Sequence, residues 1–235
     1  MEPMTYQSAE QVKTRVNAFI LSVYNWMFIG LGLTGVVAYS TFRIPALSKL
    51  IFSTPGVFFA LMIGELAMVF ILVGRITKMQ ASTATAMFVA YSALNGLTMS
   101  FIFLAYTKTA IFGAFFATAG TFAACSIYGW VTKRDLTSMG SFMFMGLIGV
   151  IIASVVNMFL ASSALYWAIT YITIFIFVGL TAYDTQKIKE MALTQPADIG
   201  AGAVRKGAIM GALKLYLDFI NLFLMMLRLF GGGRD

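Results

Sequence analysis

The stretch "LKLYLDFINLFLMMLRL", residues 213–229, is mostly Leu, Met and Phe, a composition made for lipid, yet it carries Lys214, Asp218, Asn221 and Arg228. Steps of four, three and seven residues place these four side chains on one stripe of an α-helix. An Asp at mid-depth in a bilayer costs about 2.5 to 3.5 kcal/mol on insertion scales, so the stripe must face a partner or a water-filled cavity. Two other acidic residues fall at or near such depth: Asp184 in "GLTAYDTQK", with Thr181 and Thr173 on neighbouring turns, and Glu65 in "MIGELAM". If Asp184 and Asp218 approach to hydrogen-bond distance, both cannot ionise cheaply in a low-dielectric site. The pair then holds one proton in common and titrates as a unit. Gain or loss of that proton would alter the contact between two helices, which makes the pair a candidate trigger.

Plainer readings of the same residues stand beside this one. Asp218 could pair with Lys214, one helical turn away, for folding alone, the Lys stem carrying its ammonium toward the membrane surface while staying near the carboxylate. Glu65 could hydrogen-bond to a Tyr, Ser or Asn of another span. Asn95 and Asn157 suit hydrogen bonds between helices, and Gly30, Gly32 and Gly35 in "GLGLTG" suit close helix packing.

Other chemistries are removed by what the chain lacks. It has no His, which eliminates Ser/His and Cys/His nucleophiles and His-based zinc or haem sites. Its one Cys, Cys125, lies in an apolar run and can form no internal disulfide. Two intramembrane aspartates suggest an aspartyl protease, but those enzymes carry Gly-x-Gly-Asp at one aspartate and Pro-Ala-Leu later. Here Asp218 sits in "KLYLDFIN" and no such triplet follows, so no enzyme is expected. Sixteen Lys and Arg give a net charge of +7, but they occur singly or in pairs between apolar runs and mark topology rather than a nucleic-acid surface.

The elements that must position the acids are membrane spans. Of 235 residues 60% are hydrophobic and 11% charged, with a mean hydropathy of +0.88, more apolar surface than a water-soluble domain of this size can bury. Charges punctuate seven apolar spans, near 19–41, 51–74, 84–106, 110–131, 138–160, 165–183 and 208–229, within a transmembrane domain at 19–230. "LASSALYW" offers a small-residue turn between the fifth and sixth spans, and "DTQKIKEMALTQPADIGAGAVRKG" is the longest polar connection. Residues 1–18 read as a cytoplasmic N-terminal tail and 231–235 as a short C-terminal tail. The expected fold is an all-α integral membrane protein, a compact bundle of seven transmembrane helices. With the N-terminus inside, that side holds Lys13 and Arg15, Arg75 and Lys78, Lys133 and Arg134, Lys187 and Lys189, Arg205 and Lys206. Outside are Arg43, Lys49, Lys108, Arg228 and Arg234, and the bias favours N-in, C-out.

"GLTAYDTQKIK", a polar loop, and then "GALKLYLDFINLFLMMLRLFG" together resemble the Bax inhibitor-1 (TMBIM) family in its bacterial form, and the seven-span layout resembles it across the chain. The resemblance implies a pH-sensitive, calcium-permeable leak in the bacterial inner membrane. It implies that the two motif aspartates form a hydrogen-bonded pair near the cytoplasmic side, so Asp184 and Asp218 would be pH sensor and gate. By location alone it extends a role in opening to Glu65 and Arg75. Lys214 and Asn221, on the stripe of Asp218, complete the candidates for the ion path. Ca²⁺ wants several oxygen ligands and carboxylates are scarce here, so Asp184, Asp218 and Glu65 offer transient coordination and a leak fits better than a store. Calcium and protons are then what the protein handles, and no resident cofactor is expected. Two readings stay open beside the leak: a proton-coupled cation exchanger, and a non-transporting modulator of a membrane protease or other membrane partner.

Overall fold

The structure, a computed structural model, describes residues 9–196 and 198–231. Among these residues there is no strand, and nine helices follow in order: α1 (Ala9–Arg43), α2 (Pro45–Ser53), α3 (Pro55–Arg75), α4 (Ala81–Met99), α5 (Ile102–Ala105), α6 (Lys108–Val131), α7 (Thr137–Leu160), α8 (Ser163–Thr194) and α9 (Ala201–Gly231). Seven helical stretches are long and apolar enough to cross a membrane, with α4 and α5 counting as one. The chain is an all-α integral membrane protein.

The helices outrun the apolar runs that announce them. α1 begins at Ala9, so the stretch 9–18, expected as tail, is helix; residues 1–8 of that tail lie outside the described residues. "AEQVKTRV" has no Gly or Pro and several good helix formers, which is enough to extend the span outward. The same holds after Asp184, where "DTQKIKEMALT" carries α8 on to Thr194 instead of ending it at 183. α9 starts at Ala201 and includes Gly231, while residues 232–235 of the expected C-terminal tail lie outside the described residues.

The third crossing is broken, for a reason visible in its side chains. Thr98 Oγ1 donates to the Asn95 carbonyl at 3.0 Å and Ser100 Oγ to the Leu97 carbonyl at 2.7 Å. Hydroxyls that take carbonyls three residues back compete with the helical ladder. α4 stops at Met99, and α5 resumes at Ile102.

Contacts divide the described chain into two compact units. The first takes the residues up to Leu104 together with Ile188–Leu213; the second takes Ala105–Lys187 together with the residues from Lys214 on. In the first unit α1 lies closely on α4, because a Cβ on Gly96 would stand 2.7 Å from the Thr34 carbonyl oxygen and one on Gly30 2.7 Å from the Phe88 ring. Gly32 and Gly35 play no such part; neither meets anything within 4 Å. Thr34 Oγ1 reaches the Ser92 carbonyl at 2.8 Å across the same contact. Basic side chains tie the polar connection down: Arg15 donates to the carbonyls of Gln195 and Pro196, and Lys206 to that of Thr77 at 2.8 Å.

In the second unit, Met143 and Val150 of α7, Ile169, Ile176, Phe177 and Leu180 of α8, and Leu222 of α9 form a buried apolar cluster. α7 ends at Ala161, whose φ of 47° turns the chain back toward α8. Asn157, expected to bond between helices, instead caps this end, its Oδ1 accepting from Ser162 N at 3.0 Å. At the other end of α7, the Thr137 N–H donates to Asp135 Oδ1 at 2.8 Å, and hydrogen bonds from Thr137 hold the exposed Asp135 carboxyl below the usual carboxylate range.

Candidate functional site: an aspartate pair with a lysine

α9 is the helix that raised the question of buried charge, and it is the most enclosed of the spans. In its most apolar window 67% of residues are buried, against 6% in α3 and in α7, so its Leu and Phe faces meet protein rather than lipid. Leu213, Leu215, Tyr216, Leu222 and Leu227 are all essentially inaccessible. α8 and α9 run antiparallel, since partners ascend on one as they descend on the other: Met191 packs on Gly207, Ile188 on Gly211, and Asp184 meets Lys214 and Asp218.

Contacts with α6 and α7 set the rotation of α8. Gly129 of α6 lies directly against the Ala182 carbonyl, and Gly140 of α7 lies under the Tyr183 ring. Gln186 bridges to the start of α7, its Oε1 accepting from Leu136 N at 2.9 Å and its Nε2 donating to the Arg134 carbonyl at 2.8 Å. With 182, 183 and 186 so engaged, position 184 is left on the face toward α9. There the carboxyls of Asp184 and Asp218 face each other, close enough to act on one another electrostatically. Asp218 is 4% exposed, and its Oδ2 is buried with no hydrogen-bond partner. Thr185 Oγ1, next along the chain from Asp184, is likewise buried without one.

Lys214 pairs with the other aspartate than the one sequence spacing suggests. Its Nζ lies 3.3 Å from Asp184 Oδ1, with side-chain exposures of 43% for the lysine and 13% for the aspartate. The two stand level across the antiparallel helices, in the same series as Ile188 with Gly211 and Met191 with Gly207. Asn221 Nδ2 donates to the Leu217 carbonyl of its own helix at 2.8 Å, and Arg228 stacks over the Tyr166 ring at 5.1 Å. Thr173 and Thr181 spend their hydroxyls on the α8 carbonyls of Ile169 and Phe177.

Glu65 belongs to the first unit and has its own partner. Thr98 Oγ1 donates to Glu65 Oε1 at 2.7 Å, so the donor is a threonine at the helix break and not the Tyr, Ser or Asn expected. Asn95 Nδ2 reaches the Tyr91 hydroxyl at 3.4 Å within α4, and Asn95 Oδ1 is buried without a partner. Arg75 is exposed at the end of α3, ten residues or ~15 Å of helix beyond Glu65, too far for an ion pair between them. No group of three or more His, Cys, Asp or Glu side chains that could hold a metal lies among the described residues.

Sequence reasoning missed Thr98 and Gln186. No spacing rule links position 98 to position 65. Gln186 was hidden by ending the sixth span at 183, which turned a helical residue into apparent loop.

The model of a family described as "Inhibitor of apoptosis-promoting Bax1" matches residues 16–235. "Inner membrane protein YbhL" of Escherichia coli K12 is 48% identical over 227 residues, covering 97% of this chain and 97% of that protein. A protein of Borreliella burgdorferi, described only as uncharacterized, is 44% identical over 93% of this chain and 94% of its own length. An uncharacterized protein of Deinococcus radiodurans is 42% identical over 99% and 96%.

Proposed function

The chain belongs to the Bax inhibitor-1 family as a multi-pass inner-membrane protein, and from that membership we propose that it is a pH-sensitive, calcium-permeable leak gated by Asp184 and Asp218. The observation that carries this reading is the approach of two carboxyls from neighbouring membrane helices, one of them 4% exposed. At hydrogen-bond distance such a pair takes a proton between the oxygens, because two carboxylates there repel. When the proton leaves, the clasp between α8 and α9 loses its bond and gains repulsion; protonation restores it. The aspartate oxygens also supply the hard ligands a passing Ca²⁺ takes, too few to retain it. Glu65 with Thr98 is a separate polar contact, within the first unit. The orientation is N-in, C-out, and the role is transport rather than catalysis.

Purified protein in liposomes tests the class. A leak dissipates a Ca²⁺ gradient with no coupled movement of protons. Obligate proton movement would make the protein an exchanger, and absence of any flux would make it a non-transporting partner of another membrane protein.

A further inference from the structure

We propose that Lys214 is a tethered counter-cation, occupying the place at the aspartate pair that a divalent cation must take to pass, so that the ion and the ammonium compete for the same carboxylate oxygens. This inference rests on the leak reading and adds to it a residue that sets resistance to entry. Three observations carry it. The ammonium lies 3.3 Å from Asp184 Oδ1, so one oxygen of the pair is already held by a positive charge. Asp218 Oδ2 is buried and has no hydrogen-bond partner, which leaves the ligand set of the pair incomplete. Lys214 is 43% exposed against 13% for Asp184, so its head sits at the accessible edge of the pair rather than locked inside it.

The chemistry of the side chain suits such a role. An ammonium on a flexible four-carbon stem is a point charge that can swing out to water, where it is strongly hydrated, without breaking a planar fork of bonds. The charged groups acting on either carboxyl are the other carboxyl and Lys214. Among the described residues, Lys214 is the cation that forms an ion pair with these carboxyls. A divalent ion entering the site takes over the oxygens that Lys214 releases, and Lys214 returns when the ion moves on.

The test uses the full chain with Lys214→Met, which keeps length and removes charge, Lys214→Gln as a second neutral variant should the first misfold, and Lys214→Arg, which keeps charge. Binding of Ca²⁺ alone is measured by titration calorimetry and passage by flux into liposomes. The neutral variant is expected to bind Ca²⁺ at least ten-fold tighter and to pass it faster, with Lys214→Arg close to the natural protein or tighter shut. A folded neutral variant with unchanged or weaker binding and flux, beside natural flux that Asp184→Asn alters, overturns the lysine's role and leaves the leak standing. No Ca²⁺ binding or flux in any form overturns both.

Discussion

Acid lies within the spans in two places, half-buried at Glu65 and buried at Asp218, and is held by two different means. In the first unit, Glu65 has one neutral hydroxyl, Thr98, at 2.7 Å. In the second, Asp184 and Asp218 have each other and an ammonium at 3.3 Å. The Thr98 hydroxyl carries no charge, so whatever the protonation of Glu65 the contact sets no charge against a like one. A carboxyl partner does change, and its loss of a proton turns attraction into repulsion. The difference teaches where a switch can reside: a lone buried acid can be satisfied, but two acids in contact can be thrown.

The comparison can be broken most directly at its charges. Asp184→Asn or Asp218→Asn is expected to abolish the pH dependence of Ca²⁺ flux in liposomes, whereas Glu65→Gln, which keeps an acceptor for Thr98, should leave the shape of the pH profile intact. If Glu65→Gln flattens the profile as fully as the aspartate changes do, the assignment of the switch to the second unit is wrong. Next in size is packing around the pair. A Cβ at Gly129 would fall on the Ala182 carbonyl, and backbone cannot swing aside, so Gly129→Ala should cost about 3 kcal/mol. Gly32 meets nothing within 4 Å, and Gly32→Ala should gain about 0.5 to 1 kcal/mol. Thermal unfolding in detergent should move in opposite directions for the two.

Smaller effects sharpen the contrast. Thr98→Val removes the donor to Glu65 and should cost about 1 kcal/mol, the low end for an orphaned polar group, because Glu65 is only half-buried and can rehydrate. The smallest effect is expected at Asp135, whose pKa is held down mainly by Thr137 and which is fully exposed. A folded-state pKa below the ordinary 3.8 contributes stability above that value and loses it as pH falls through the folded pKa. Asp135→Asn should therefore leave melting unchanged in acid below that range and lower it slightly near neutrality. An Asn variant that melts with the natural protein at every pH would remove the helix-start role of this carboxyl.

Much of this was legible in the chain because lipid punishes charge so heavily. Seven apolar runs, and acids that must not face hydrocarbon, single out Asp184, Asp218 and Glu65 as residues that need a partner. What hydropathy could not reveal was how far each helix continues once the apolar run ends. That is why Asp184 turned out to lie well inside α8, and why Gln186, two residues on, passed for loop. Spacing also misdirected Lys214, since a difference of four names a neighbour on the same helix without saying what the next helix brings level with it. Glu65 and Thr98 meet across a separation of 33 residues. That contact depends on how α3 lies on α4 and on a helix break made by two hydroxyls, neither of which has a pattern in one sequence.

Whether the two aspartates act as one unit is most directly measured by the pH profile of Ca²⁺ flux for Asp184→Asn, Asp218→Asn and the double variant, side by side in liposomes. Three matching, pH-independent profiles are expected, because either change alone removes the shared proton. Profiles that retain pH dependence in each single variant and lose it stepwise in the double would contradict a coupled pair.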